Sequence, residues 1–248
     1  MSFVVTVLGS SGMFATIERA CAGYLVEVDG KKLWMDAGAG TWRHLLQYVD
    51  YKNLDGVLLT HRHPDHVTDV FQCGHARSLG GPQPLPPIPL WAPGETLDRL
   101  SSYYENIVEM FDTKPIKAGG SLEFAGARLS FFEMAHPCET VGVRIEHDGA
   151  VLAYSSDTGP EGDIERLASE ADLFICEATL QDEDESWEGH MKASQAGVAA
   201  MQVAAKKLLL THLPPGRDFG LSLVEGHEAA GDVEVQLAAD LMRIEVGS

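Results

Sequence analysis

The segment Thr60-His61-Arg62-His63-Pro64-Asp65-His66 places three imidazoles and one carboxylate within six residues. Neutral imidazole and carboxylate are ordinary ligands of Zn2+ and related divalent ions. A structural zinc normally uses cysteines in a closed site, and no cysteine lies here. With further ligands expected later in the chain, four such side chains exceed what one tetrahedral ion needs and suggest two adjacent metals. The bland alternative, a histidine-rich helix start on the surface, does not account for every residue being a ligand type at ligating spacing.

The segment directly follows an apolar strand at 56–59. Pro64 suits a first helical position, where its missing N–H costs nothing. His61 and His63 then stand on the loop leaving the strand, and Asp65 and His66 on the first turn of a helix. Remaining ligands should occupy the C-terminal ends of other strands, and three residues do. His136 follows a strand at 128–133 in Met-Ala-His-Pro. Asp157 follows 151–155 in Ser-Ser-Asp-Thr-Gly, and His212 follows 208–211 in Leu-Leu-Leu-Thr-His-Leu-Pro-Pro. A lone histidine after a strand is usually structural. Three such residues joined to the first motif form a pattern.

His61-x-His63-x-Asp65-His66, with His136, Asp157 and His212, resembles the metal-ligand set of the metallo-β-lactamase superfamily, and the resemblance runs along almost the whole chain. It implies an α/β fold, a four-layer αββα sandwich of two similar halves, spanning 1–248 as one domain with the site at one edge. It implies that His61, His63 and His136 hold one metal, that Asp65, His66 and His212 hold a second, and that Asp157 bridges them with a water or hydroxide. Two divalent metals lower the pKa of such a water and stabilise charge developing on a phosphoryl or acyl oxygen. Mixed His and carboxylate ligation suits Zn2+ best, with Mn2+ and Fe2+ as alternatives.

Cys176-Glu177-Ala178-Thr179 and Gly189-His190-Met191-Lys192 resemble two motifs of the ribonuclease Z-like branch. There a glutamate orients a histidine that protonates the leaving oxygen. Glu177 and His190 inherit those roles, and with Asp65 they are the candidate catalytic residues. Cys176 stands where that branch has histidine, and Met191-Lys192 where it has Ser-Thr, which weakens the inference to nucleic acid. True ribonuclease Z enzymes carry a long arm that grips tRNA. Here His136 and Asp157 are only 21 residues apart, with no room for one. The flanking motifs look most like bacterial cyclic-nucleotide phosphodiesterases of this branch. The expected activity is therefore hydrolysis of a small, cyclic nucleotide phosphodiester. The rival readings are a tRNA 3′-processing endoribonuclease and a lactonase- or thioesterase-type acyl hydrolase. A metal-binding protein without turnover is a third, and turnover separates it from the enzymes.

Positioning these groups requires alternating strands and helices. Apolar runs bounded by turn residues predict strands at 3–8, 23–28, 33–36 and 57–60, and again at 122–124, 128–133, 141–146, 151–155, 173–177 and 208–211. A short terminal strand is expected within 235–246. Helical periodicity predicts 41–48, 65–77, 95–110, 161–169 and 192–205. Residues 80–94 hold half of the chain's 12 prolines and read as a connecting loop.

Lys plus Arg number 18 and Asp plus Glu 37, a formal charge of −19 over 248 residues. Such a field repels polyanions, so nucleic acid is disfavoured and a small anionic substrate is expected at a locally positive metal site. The acidic run at 182–188 leads straight to His190 and opposes a long phosphate backbone further. Four scattered cysteines read as reduced thiols, and the opening residues read as a strand rather than a signal peptide. No apolar run is long enough for a membrane helix. A cytoplasmic protein without membrane association is expected, and the family resemblance suggests a homodimer. Gly9-Ser10-Ser11-Gly12 reads as a tight turn near the site, since it lacks the lysine of a phosphate loop. Arg62 and Lys192 are candidate phosphate contacts and Trp187 a candidate base-stacking group, each with an ordinary surface role as the alternative. His44, His75, His147 and His227 match no motif.

Overall fold

The computed structural model describes residues 2–247. Strands β1 (Phe3–Gly9), β2 (Gly23–Val28), β3 (Lys31–Met35), β4 (Gly56–Leu58), β5 (Ile88–Pro93) and β6 (Phe111–Ile116) lie side by side in that order. The second sheet contains β7 (Ser121–Phe124), β8 (Ala127–Glu133), β9 (Val141–His147), β10 (Ala150–Tyr154), β11 (Leu173–Glu177), β12 (Lys207–Thr211) and β13 (Glu234–Leu237). The last strand, β14 (Arg243–Glu245), returns to the first sheet and pairs with β1. Each sheet therefore has seven strands.

Helices α1 (Thr41–Leu45), α2 (Pro64–Val67), α3 (Val70–Leu79), α4 (Gly94–Tyr103) and α5 (Ile107–Met110) belong to the first half. Helices α6 (Ile164–Ala168), α7 (Ala193–Gln202) and α8 (Phe219–Ala229) belong to the second. Three separate apolar clusters divide the layers. One, with Val5, Tyr24, Val143, Tyr154 and Ile175, fills the space between the sheets. Another, with Trp34, Leu45, Leu59 and Leu100, lies under the first set of helices. The third, with Phe174, Leu167, Ala196 and Leu210, lies under the second. Alternate side chains of a strand face opposite layers, so a sheet buried on both sides reads as a near-continuous apolar run. The result is the expected four-layer αββα sandwich. Among the described residues no helix is long and apolar enough to cross a membrane.

Strand direction explains why the site forms at one edge. β3 to β6 run parallel, as do β10 to β13. β8 and β10 each lie antiparallel to β9, so they share a direction. The C-terminal ends of β4, β8, β10, β11 and β12 carry the five candidate site segments.

Several expected elements differ. The proline-rich loop gives way to β5 at Ile88, although Pro89 and Pro93 lie within the strand. Proline removes a ladder donor, but neighbouring β4 pairs only with Leu90 and Trp91, leaving both prolines clear of that ladder. The helix expected over 95–110 breaks after Tyr103, and that over 65–77 splits between α2 and α3. The terminal stretch forms two strands, in different sheets, rather than one. β6 and α8 carry weaker signals: Pro115 interrupts the first, and Gly220 and Gly226 dilute the second.

Candidate metal centre

His61 leaves the end of β4 fully buried, while Pro64 opens α2 at its first position, as the sequence requires. That turn brings His61, His63, Asp65 and His66 to one wall. His136, Asp157 and His212 approach from the second sheet. The ligand atoms of His61, His63, His136 and Asp157 lie within 4.8 Å of one another, as do those of Asp65, His66 and His212. Asp157 faces both groups. Its Oδ1 is 3.2 Å from His66 Nε2 and 3.3 Å from His212 Nε2, and its Oδ2 is 3.6 Å from His61 Nε2.

Outer hydrogen bonds fix the rings. His66 Nδ1 donates to Asp36 Oδ2 at 2.8 Å, and His136 Nδ1 donates to the Gly189 carbonyl at 2.8 Å. His212 Nδ1 lies 2.9 Å from Thr179 Oγ1, and His61 Nδ1 3.2 Å from Thr60 Oγ1. Asp65 Oδ2 accepts from the Met13 amide at 2.8 Å. The Gly9–Gly12 turn therefore borders the site as expected. Such outer partners select the tautomer that turns the other ring nitrogen inward.

The inward atoms need a cation. His61 Nε2 and Asp157 Oδ1 are buried without a hydrogen bond, an arrangement that is costly unless something else occupies the centre. The two His/Asp groups fit divalent metal ions in residue type, closeness and tautomer.

Without an ion the charges redistribute among the residues themselves. Burial holds His61 well below the usual histidine range, and burial also lowers His63 and His136. Burial opposes charge on His66 too, but Asp157 and Asp36 outweigh it and raise it well above that range. His212 is raised in the same way by Asp157 and Asp65. Burial works against ionised Asp157, yet His212 and His66 hold it well below the carboxylate range. Asp65 behaves likewise beside His212.

Asp36 was not among the residues singled out by sequence. Its carboxylate accepts from Thr60 N and Oγ1, His66 Nδ1 and the Tyr154 hydroxyl, all between 2.8 and 2.9 Å. It closes β3 with a left-handed backbone, φ 55°. A carboxylate ending a strand is the same signal that selected Asp157.

Glu177, the last residue of β11, is fully buried. Its Oε1 accepts from His190 Nδ1 at 2.6 Å and from the Thr158 amide at 2.8 Å. Its Oε2 accepts from the amides of Thr179 and Met191. With Nδ1 so engaged, His190 offers a ring nitrogen within 4.8 Å of ligand atoms of Asp157 and His212. Arg62 pairs instead with Glu95 at 2.6 Å, and Lys192 Nζ donates to the Asp182 carbonyl at 2.9 Å.

Residues 31–213 match the β-lactamase superfamily domain. The chain belongs to that superfamily. Among curated relatives, the uncharacterised protein ML1173 of Mycobacterium leprae is 34% identical, over 85% of this chain and 78% of its own. The probable metallo-hydrolase YhfI of Bacillus subtilis is 30% identical, over 85% of this chain and 86% of its own. A ribonuclease Z of Archaeoglobus fulgidus is 24% identical, over 99% of this chain and 98% of its own. The crystal structure of YhfI, a metallo-β-lactamase fold protein, superposes with a TM-score of 0.89 at 25% identity, covering 98% of both chains. This superfamily member is thus a metal-dependent hydrolase with ribonuclease Z enzymes among its relatives.

Proposed function

We propose that the protein is a phosphodiesterase using two divalent metal ions, best suited by Zn2+, on a small cyclic nucleotide. The observation that carries this reading is the Glu177–His190 pair, 2.6 Å apart and set beside the ligand cluster. Bound metals would supply an activated water and neutralise charge on the phosphoryl oxygens. His61, His63 and His136 with Asp157 would hold one ion, and Asp65, His66 and His212 with Asp157 the other.

The protein's own part in the reaction is proton delivery. Glu177 accepts from His190 Nδ1 and so fixes the ring. His190 Nε2 then gives a proton to the ribose oxygen as it leaves phosphorus. Thioester hydrolysis at the same metals, which expels a stable thiolate, has no need of such a donor. The net charge of −19 repels an extended polyanion far more than a compact one.

The relationship to a named ribonuclease Z supports a second reading, cleavage of tRNA precursors. Against it, β9 and β10 occupy the interval between His136 and Asp157. That alignment runs over 305 positions, so at least 57 of them have no counterpart among the 248 residues here. Metal-loaded protein assayed side by side on cyclic AMP and a tRNA precursor separates the two. The proposal expects turnover of cyclic AMP, lost in His61→Ala. Cleavage of the precursor alone would overturn it.

A further inference from the structure

Trp187 is the large apolar side chain that the fold leaves half-exposed against the candidate acid. It is 45% exposed, although most large apolar residues of this protein are buried. Its ring centroid lies 4.9 Å from that of His190 and 6.2 Å from that of His136. The indole is seated, not loose. A Cβ at Gly189 would meet its Cη2, Cζ3 and Cζ2 atoms at 2.8, 2.9 and 3.0 Å, so the ring lies flush on a bare glycine. The same Gly189 carbonyl holds His136 Nδ1. The ring and the acid thus share one short segment, which also holds the candidate ligand His136 in place.

The loop carrying Trp187 is tied down on the side that precedes the ring. Asp184 accepts from the Gln181 amide and pairs with Arg217 at 2.9 Å. The Asp182 carbonyl accepts from Lys192 Nζ, and its carboxylate from Ser194 Oγ. A pre-set aromatic face costs little ordering on binding, and stacking on one is available to any planar base. Exposed Glu183, Glu185 and Glu188 flank Trp187 in the sequence, a local negative charge that opposes a run of phosphates more than a single base.

We propose that Trp187 is a specificity-determining residue whose indole stacks on the planar base of the substrate while the phosphodiester faces His190 and the metal cluster. This rests on the phosphodiesterase reading above. It predicts that the enzyme selects base-bearing over base-free cyclic phosphates through binding.

Steady-state kinetics of metal-loaded wild type, Trp187→Phe and Trp187→Ala test it on cyclic AMP and on a base-free ribose 3′,5′-cyclic phosphate. Trp187→Ala should raise KM for cyclic AMP about ten-fold or more, with a much smaller change in kcat, since base–aromatic stacking is worth roughly 1–3 kcal/mol. Trp187→Phe should recover most of that loss, and KM for the base-free compound should not follow. Equal KM increases for both compounds would overturn the assignment. Indole fluorescence reads the contact independently of turnover. Adenosine monophosphate should quench the wild type, ribose 5-phosphate should not, and Trp187→Phe should lose the quench. If neither compound is hydrolysed, the phosphodiesterase reading fails and the fluorescence result alone decides the stacking. Quenching that persists in Trp187→Phe contradicts it.

Discussion

His66 and His212 must lose protons before either can bind a metal. Asp157 with Asp36 raises His66 well above the ordinary histidine value, and Asp157 with Asp65 raises His212, so the metal-free protein favours these protons. In that form the pairs add stability below about pH 6.5, and this fades as pH rises through the folded values. Asp65 and Asp157 are depressed, so their contribution is present above about pH 3.9 and fades as pH falls through their folded values. Metal uptake near neutral pH should release protons, and affinity should fall as pH is lowered. Calorimetric titrations in buffers of different ionisation enthalpy count them; no buffer dependence would contradict the charge assignment. Asp36 matters for the same reason. Asp36→Ala strands His66, Thr60 and the Tyr154 hydroxyl. It should cost on the order of 3 kcal/mol in urea denaturation and about 10- to 100-fold in metal affinity. The seven ligand candidates were legible because histidine and aspartate announce their chemistry. Thr179 and Gly189 were not, because a hydroxyl and a backbone carbonyl acquire their roles only once the chain has folded around His212 and His136.

Strand ends and tight turns set the positions of these side chains, and the turn after β1 gives the most direct test. A Cβ at Gly12 would lie 2.6 Å from the His212 carbonyl oxygen and 2.7 Å from His212 Nδ1. Gly12→Ala must therefore push back the segment carrying His212. It should lower stability by roughly 1–3 kcal/mol and reduce bound metal measured by elemental analysis. Full metal content in Gly12→Ala would mean that this turn does not position His212. Of the strands that carry site residues, β4, β10, β11 and β12 were legible as short apolar runs and β8 by alternation of buried Ala127, Leu129 and Phe131 with more exposed neighbours. β5 was not, because its prolines resemble loop punctuation until the brevity of β4 is known. α8 escaped for a different reason: its packing against the rest of the second half, rather than its propensity, makes it a helix.

The two seven-stranded sheets meet at the ligand cluster, so metal binding couples the halves of the molecule. An ion that binds only the folded protein stabilises it by about 4 kcal/mol when free at a thousand times its Kd. For a chain of this size that is on the order of 10 °C in Tm. Chelation should lower Tm by such an amount and re-addition restore it; a Tm indifferent to chelator would remove the metals from the fold's stability. The charge of −19 predicts no retention of tRNA precursor even at low salt, which filter binding can check. The alternation of strands and helices made an α/β architecture legible. Its specific four-layer form came from resemblance to a known fold, since periodicity alone does not say which helices cover which sheet.

The central claim is that Glu177 and His190 turn a metal cluster into a phosphodiesterase by delivering a proton to the leaving oxygen. The most direct measurement is the rate of His190→Ala, metal content held equal, on cyclic AMP and on a phosphodiester with a p-nitrophenolate leaving group. A ribose alkoxide needs protonation and a nitrophenolate does not. The account predicts a loss of about 10²- to 10⁴-fold on cyclic AMP and only a small loss on the activated ester. Equal losses on both substrates would contradict it.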